Sequence, residues 1–279
     1  MFQRSVSRRA EIPVPLQKLA SLMLAILISL QLATPAYAGK LSSILVFTRA
    51  EGFVHPSITD GVTLLTDLAM EEGATLDVTD ETDVFTPAGL AAYDVVVWVS
   101  TTGDVLDAPE QAAFEDFIRA GGGYVGIHAA ADCEYGWPWY GELLGNRAWF
   151  DSHPAIQTAT LLLESPDHPG AGLFDDVDTF QDEWYNFRSN PRPAVQVVQT
   201  IDEDSYDPGS GAMGDDHPIV WAHDFQGGRS FYTALGHRPA TYSDIRFKEQ
   251  IRGALQWAAG ARIFADDFET GTTERWSVP

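Results

Sequence analysis

The sequence predicts an α/β fold: a mainly parallel sheet with antiparallel additions and helices on both faces. Three observations carry that expectation. Strand-like and helix-like runs alternate through the first half, residues 95–100 are apolar throughout, and a glycine-rich run at 121–123 leads into a strand ending at a histidine. With 279 residues, 45% of them hydrophobic, the chain can bury the core of one such domain.

In order along the chain, residues 43–48 are a short β-branched and apolar strand. Ile58, Val62, Leu65, Leu68 and Ala69 recur at helical spacing, which predicts a helix over 58–72, and 75–78 is a second strand. After the 95–100 strand, Pro109 opens a helix in which Phe114, Phe117 and Ile118 share a face. The strand ending at His128 completes the βαβαβαβ series and is expected at the centre of the sheet. Beyond it, 155–163 and 193–201 are strand-like, 219–225 and 229–235 read as an antiparallel pair across Gly227 and Gly228, and 244–259 as a closing helix. The acidic, glycine-bearing stretch 202–216 reads as an exposed loop.

The two ends read differently. Arg4, Arg8, Arg9 and Lys18 precede an apolar run over 19–32, and Ala36 and Ala38 supply the small residues of a signal-peptidase site, so residues 1–38 are expected to be an export signal with the mature chain starting at Gly39. The run is shorter than the roughly 20 residues a membrane span needs. A periplasmic or extracellular location follows. Residues 261–279 break the domain pattern and are similar to short sorting segments of exported bacterial proteins. The formal charge is −23, and losing the basic signal deepens it. Such a field repels phosphate backbones and anionic lipid, so no nucleic-acid or membrane partner is expected, and a neutral or cationic small molecule is. The single cysteine, Cys133, excludes an intramolecular disulfide.

The segment Gly126-Ile127-His128-Ala129-Ala130 places an imidazole where a nucleophile elbow places serine or cysteine. An imidazole there is a proton carrier or a metal ligand. His55 follows the first strand and His237 follows a strand and Gly236, so all three are expected at the carboxyl edge of the sheet, where ligands bind. Asp182 and Glu183 precede Trp184 and Tyr185; a carboxylate beside aromatics can have a raised pKa and act as acid or base, and the rings can stack on a sugar. The same three imidazoles and Glu183 would equally hold a divalent metal such as zinc, although no His-x-x-x-His or Cys-x-x-Cys spacing marks one. His153 and His217, each before a proline, read equally as loop anchors. No Gly-x-Ser-x-Gly occurs, and Thr48-Arg49-Ala50-Glu51-Gly52 is no phosphate loop, which disfavours serine-triad hydrolysis and dinucleotide binding.

Several segments in order, Gly52-Phe53-Val54-His55-Pro56-Ser57-Ile58, the 121–132 run, 137–145 with Trp137 and Trp139, Ser152-His153-Pro154, 182–187, Asp216-His217-Pro218-Ile219 and 231–237, carry a family likeness. From about 43 to 260 the chain resembles the ThuA-like (trehalose utilisation) family, a variant of the flavodoxin-like, class I glutamine amidotransferase-like fold. Amidotransferase chemistry itself is disfavoured, because the elbow has no cysteine. The resemblance implies a carbohydrate ligand. Joined to the site chemistry, it gives an exported protein that cleaves or transforms a glycoside or keto-glycoside, with His128 as base and His237 or a metal stabilising an enediolate. The competing class is a non-catalytic sugar-binding or structural module. In either case His55, His128, Glu183 and His237 are expected to converge in one pocket, floored by Trp184 and opened by 137–140, with Trp137, Trp139, Tyr185 and Asp182 contributing to the sugar.

Overall fold

The computed structural model describes residues 41–260; the expected export signal at 1–38 and the tail at 261–279 lie outside the described residues. The first half runs β1 (Ser43–Phe47), α1 (Ile58–Glu72), β2 (Thr75–Thr79), α2 (Pro87–Leu90), β3 (Val95–Val99), β4 (Thr102–Gly103), α3 (Ala108–Arg119) and β5 (Gly123–Ile127). Next come β6 (Asp132–Cys133), α4 (Pro138–Leu144), β7 (Phe150–Ser152), β8 (Gln157–Leu163), β9 (Val177–Asp182) and β10 (Asn186–Phe187). The domain closes with β11 (Gln196–Asp202), β12 (Pro218–Phe225), β13 (Gly228–Thr233) and α5 (Ile245–Ala259).

Nine strands form one sheet in the order β2-β1-β3-β5-β13-β12-β11-β8-β9. From β2 to β13 the pairing is parallel; from β13 to β9 it is antiparallel. Every residue of β3 and β5 is buried, as strands covered on both faces require. On one side Trp98 of β3 stacks on Phe114 of α3 at 5.6 Å and on Tyr140 of α4 at 4.9 Å, and Phe47 and Phe85 close the cluster. Asp107 and Glu110 cap α3 reciprocally, satisfying two backbone N–H groups that the first turn leaves open.

Two features go beyond the sequence reading. The strand expected from residue 193 begins at Gln196, after a short 3₁₀ turn at Arg192–Ala194 set by Pro191 and Pro193. And β9 gave no apolar run to read, because at this edge only Phe180 and Asp182 are buried. In a flat sheet β9 would lie five spacings, about 24 Å, from β5. Instead the Asp182 carboxylate accepts from the backbone N–H of Gly236 (2.9 Å) and of Arg238 (3.2 Å) and from the Thr241 hydroxyl (2.8 Å). The sheet therefore coils until its outer strand meets the loop after β13, the sense in which strand twist accumulates. Two small ribbons complete the edge: β4 pairs with β6 in parallel, and β7 with β10 antiparallel. Among the described residues no helix is long and apolar enough to cross a membrane.

Candidate functional site

Strand direction explains why the candidate side chains meet. β1, β5 and β13 are parallel, and the antiparallel alternation from β13 outward returns β9 to the same direction, so the residues following all four emerge at one edge. His128 leaves β5 with φ of 50°, a left-handed conformation uncommon outside glycine. Its surroundings hold it there: Nδ1–H donates to the Ala234 carbonyl at 2.9 Å, and the Tyr232 hydroxyl donates to the His128 carbonyl at 2.8 Å. With Nδ1 so committed, Nε2 is the ring nitrogen that faces the cluster. His237 follows Gly236, whose φ of 118° and contact of an added Cβ with Ile127 at 2.9 Å demand a glycine. Ser57, at the start of α1, donates to the Gly236 carbonyl at 2.9 Å and so ties the His55 loop to the His237 loop.

The resulting geometry is compact. His128 Nε2 lies 3.2 Å from His237 Nδ1 and 3.5 Å from Glu183 Oε2, and His237 Nδ1 lies 3.0 Å from that same oxygen. His55 packs edge-on against both rings, at 4.9 and 5.3 Å between centroids, and one donor atom from each of the four residues lies within 4.8 Å of all the others. Donors at about 2.05 Å from a tetrahedral ion stand about 3.3 Å apart. The triangle formed by His128, His237 and Glu183 has nearly that size, and the buried Nδ1 of His55 has no hydrogen-bond partner. Neutral imidazoles and a carboxylate are the donors that zinc and similar ions prefer, so the residues present fit such an ion.

Electrostatics support the same reading. Burial, then the neighbouring His128 and His237, push the His55 pKa down to about 3, outweighing the opposite pull of Glu183. Burial alone would raise the Glu183 pKa, but hydrogen bonds from His128 and His237 prevail and hold it at about 2. The Glu183 carboxylate in turn raises the pKa of His237. At neutral pH the cluster thus offers an unprotonated imidazole and a fully ionised carboxylate.

In front of it lies a cavity of about 240 Å³ lined by Phe53, His55, Asp132, Phe150, His153, Glu183, Tyr185 and His237. The structure brings His55, His128, Glu183, His237 and Tyr185 together, Tyr185 lying against the His128 ring at 4.3 Å. Four other expectations need correction. Trp184 is not the floor: it does not line the cavity and is fully buried with its indole N–H on the Gln157 carbonyl. Trp137 and Trp139 do not open the pocket; they stack on each other at 5.2 Å over α3, their N–H groups donating to Glu115 and Gln226. Asp182 faces no cavity, being wholly buried among the donors described above. Finally, the expected raised carboxylate pKa at Glu183 is reversed, because imidazoles and not aromatic rings surround it.

Sequence reasoning missed Asp132, Phe53 and Phe150 and placed His153 only as an alternative to a loop anchor. The two small ribbons recruit three of these residues: β6 carries Asp132, β7 carries Phe150, and His153 follows β7. Two-residue pairings leave no periodicity to read. The presence of Asp132 four residues after His128 was the one available signal.

Comparison with known proteins agrees with this architecture. The family model for ThuA, described as trehalose utilisation, matches residues 43–258. Among solved structures, a ThuA-like protein of Bacteroides uniformis superposes with a TM-score of 0.68 at 24% identity, covering 81% of this chain and 94% of that one. A ThuA-like protein of Parabacteroides merdae gives 0.60 at 20% identity, covering 78% and 90%. A cytoplasmic protein of Salmonella typhimurium gives 0.52 at 14% identity, covering 78% and 99%. At these identities the structural likeness speaks to the fold alone. No curated protein matches the chain. On the family match across nearly the whole described domain, the chain belongs to the ThuA family.

Proposed function

We propose that the edge cavity is the active site of a metal-dependent enzyme acting on a neutral sugar derivative, with a glycoside bearing a ring ketone as the best-suited substrate class. The observation that carries this reading is the triangle of His128 Nε2, His237 Nδ1 and Glu183 Oε2, with sides of 3.0, 3.2 and 3.5 Å and the unpartnered Nδ1 of His55 beside it. His55, His128, Glu183 and His237 would hold the ion. When bound, it would supply Lewis acidity toward a carbonyl or developing alkoxide oxygen.

The chain's own residues shape the rest. Phe53, Phe150 and Tyr185 give the cavity apolar walls suited to the face of a sugar ring, and about 240 Å³ admits one ring more readily than two. His153 stands at the rim, its side chain 42% exposed and its Nδ1 3.1 Å from Glu183 Oε1, where it can meet a sugar hydroxyl. The acidic surface favours an uncharged ligand over a phosphorylated one. The family's description as trehalose utilisation is consistent with a sugar substrate. We further propose that the protein works outside the cytoplasm, on the strength of the basic, apolar and small-residue sequence at 1–38; amino-terminal sequencing of exported protein should read Gly-Lys-Leu, and retention of Met1 would overturn it.

The enzyme reading is tested by incubating the purified mature protein with a nitrophenyl glucoside oxidised to the ketone at C3, and with the unoxidised glucoside. Nitrophenol release from the ketone alone, lost on chelation and restored by zinc, is expected. Sugar binding without turnover in the zinc-loaded protein would instead identify a binding module.

A further inference from the structure

We propose that Asp132 is the residue that moves the proton in this cavity; the proposal rests on the enzymatic reading above. Most of the other ionisable groups that line the space are already engaged. Glu183 spends Oε2 on His128 and His237 and Oε1 on His153, so both its oxygens are already engaged. His128 is wholly buried, with Nδ1 on Ala234 and Nε2 turned into the cluster. His237 is bonded to Glu183, and His55 faces the same centre. Once these four hold a cation, each imidazole has committed its free lone pair, and Glu183 is left with Oε1, which already faces His153.

Asp132 differs on each count. It is the second carboxylate lining the cavity, its backbone is fixed by the β4–β6 pairing, and its Oδ1 accepts a 2.6 Å hydrogen bond from the Tyr135 hydroxyl. Its other oxygen takes part in no hydrogen bond among the described residues. Burial raises its pKa above that of an ordinary aspartate, opposed by Tyr135 and by the nearby His128, Arg188 and His153. A carboxylate that is rigid, partly desolvated and moderately basic is what general base catalysis needs. His153 and Tyr185 are the remaining competitors, but His153 sits on the loop after β7 with its side chain 42% exposed, and burial, then the Glu183 and Asp132 carboxylates, push the Tyr185 hydroxyl well above the ordinary tyrosine range.

In the step assigned here, Asp132 takes the proton from C2, beside the ketone at C3. The C2–H electron pair becomes the C2=C3 bond, and the carbonyl pair moves onto the ketone oxygen. Collapse of that enolate restores the C3 carbonyl, forms C1=C2 and breaks C1–O, and the departing alkoxide recovers the proton from Asp132. Atoms and electrons balance without a further reactant, and the carboxylate is regenerated.

The test uses the zinc-loaded mature protein and the keto-glucoside named above, following nitrophenol release and, in D₂O, deuterium uptake at C2. Asp132→Asn should bind zinc as the wild type does and lose roughly 10²–10⁴-fold in rate and in exchange. Tyr135→Phe, which keeps the carboxylate but removes a hydrogen bond favouring its ionised form, should move the acid limb of the kcat/KM profile to higher pH. His153→Gln, which alters a group placed to meet a sugar hydroxyl, should act on KM more than on kcat, whereas Asp132→Asn should act on kcat. A wild-type kcat in Asp132→Asn, or a kcat loss confined to His153→Gln, overturns the assignment to Asp132 while leaving the enzymatic reading in place. A wild-type protein that neither releases nitrophenol nor exchanges C2 overturns the enzymatic reading and this assignment with it.

Discussion

Two buried histidine–glutamate pairs in this molecule look alike in sequence and differ in what they can do. At the sheet edge, Glu183 meets His128 and His237, while His55 keeps a buried nitrogen with no partner and a cavity lies in front. Behind it, His217 is equally buried, with Nδ1 2.8 Å from Glu203 and Nε2 2.8 Å from the Tyr185 carbonyl. The second pair is saturated: each ring nitrogen has an oxygen, and Glu203 also receives the backbone N–H groups of Met213 and Gly214. Burial and ion pairing therefore do not mark a site. Donors that converge without enough partners, beside open space, do so.

If that distinction holds, removing each histidine should have opposite signatures. His55→Ala is expected to weaken zinc binding by more than about 100-fold, beyond the loss typical of residues that merely support a ligand. The metal-free variant should nonetheless lose less stability than His217→Ala, because Nδ1 has no hydrogen-bond partner to lose and the ring borders the cavity. Titration calorimetry and urea denaturation read the two quantities; a large stability loss with unchanged affinity would erase the comparison. His217→Ala should do the reverse, leaving zinc affinity intact but costing about 3 kcal/mol as Glu203 and the Tyr185 carbonyl lose a buried partner. Zinc affinity reduced as far as in His55→Ala would mean that the two regions act as one.

A third buried imidazole sharpens the contrast through pH. His168 has its pKa lowered to about 4, first by burial and then by Arg229, against an ordinary 6.5. Below pH 6.5 the unfolded chain takes up a proton that the folded one refuses until about pH 4, so stability falls as acid is added across that window, by at most about 1.4 kcal/mol per pH unit. Above pH 6.5 this group contributes no slope. His168→Asn, which retains an acceptor for the Gly170 N–H, should flatten the curve with and without zinc; an unchanged slope would exclude His168 as its source. The smallest effect is expected at Trp184→Phe, which forfeits the bond to Gln157, about 1 kcal/mol, and should leave sugar affinity alone. A clear loss of sugar affinity there would return Trp184 to the cavity.

What the sequence made legible follows from range. The parallel half declared itself because β1, β3 and β5 are largely apolar and each is followed by a turn, which sufficed to place His55, His128 and His237 on one edge. Glu183 was found by its neighbours, yet for a reason the structure reverses. The aromatic residues misled because a Trp-rich segment reads the same whether it walls a pocket or, like Trp137 against Phe114 and Tyr140, fills a core. Asp132, Phe150 and β9 escaped because their places depend on two-residue ribbons and on the coiling of a sheet, neither of which leaves a periodic trace.

That coiling also governs the order in which the molecule can be made. The hydrogen bond from Ser57 to Gly236 spans 179 residues, and Asp182 reaches 54 residues forward to the same loop. Contacts of such separation carry the largest loop-closure cost and are rewarded late in folding. Neither half of the chain contains a metal-competent set on its own, since His55 and His128 come early and Glu183 and His237 late. During synthesis the cluster can exist only after residue 237 has been added and the sheet has closed, so stoichiometric zinc uptake by a refolding chain would time the completion of the fold.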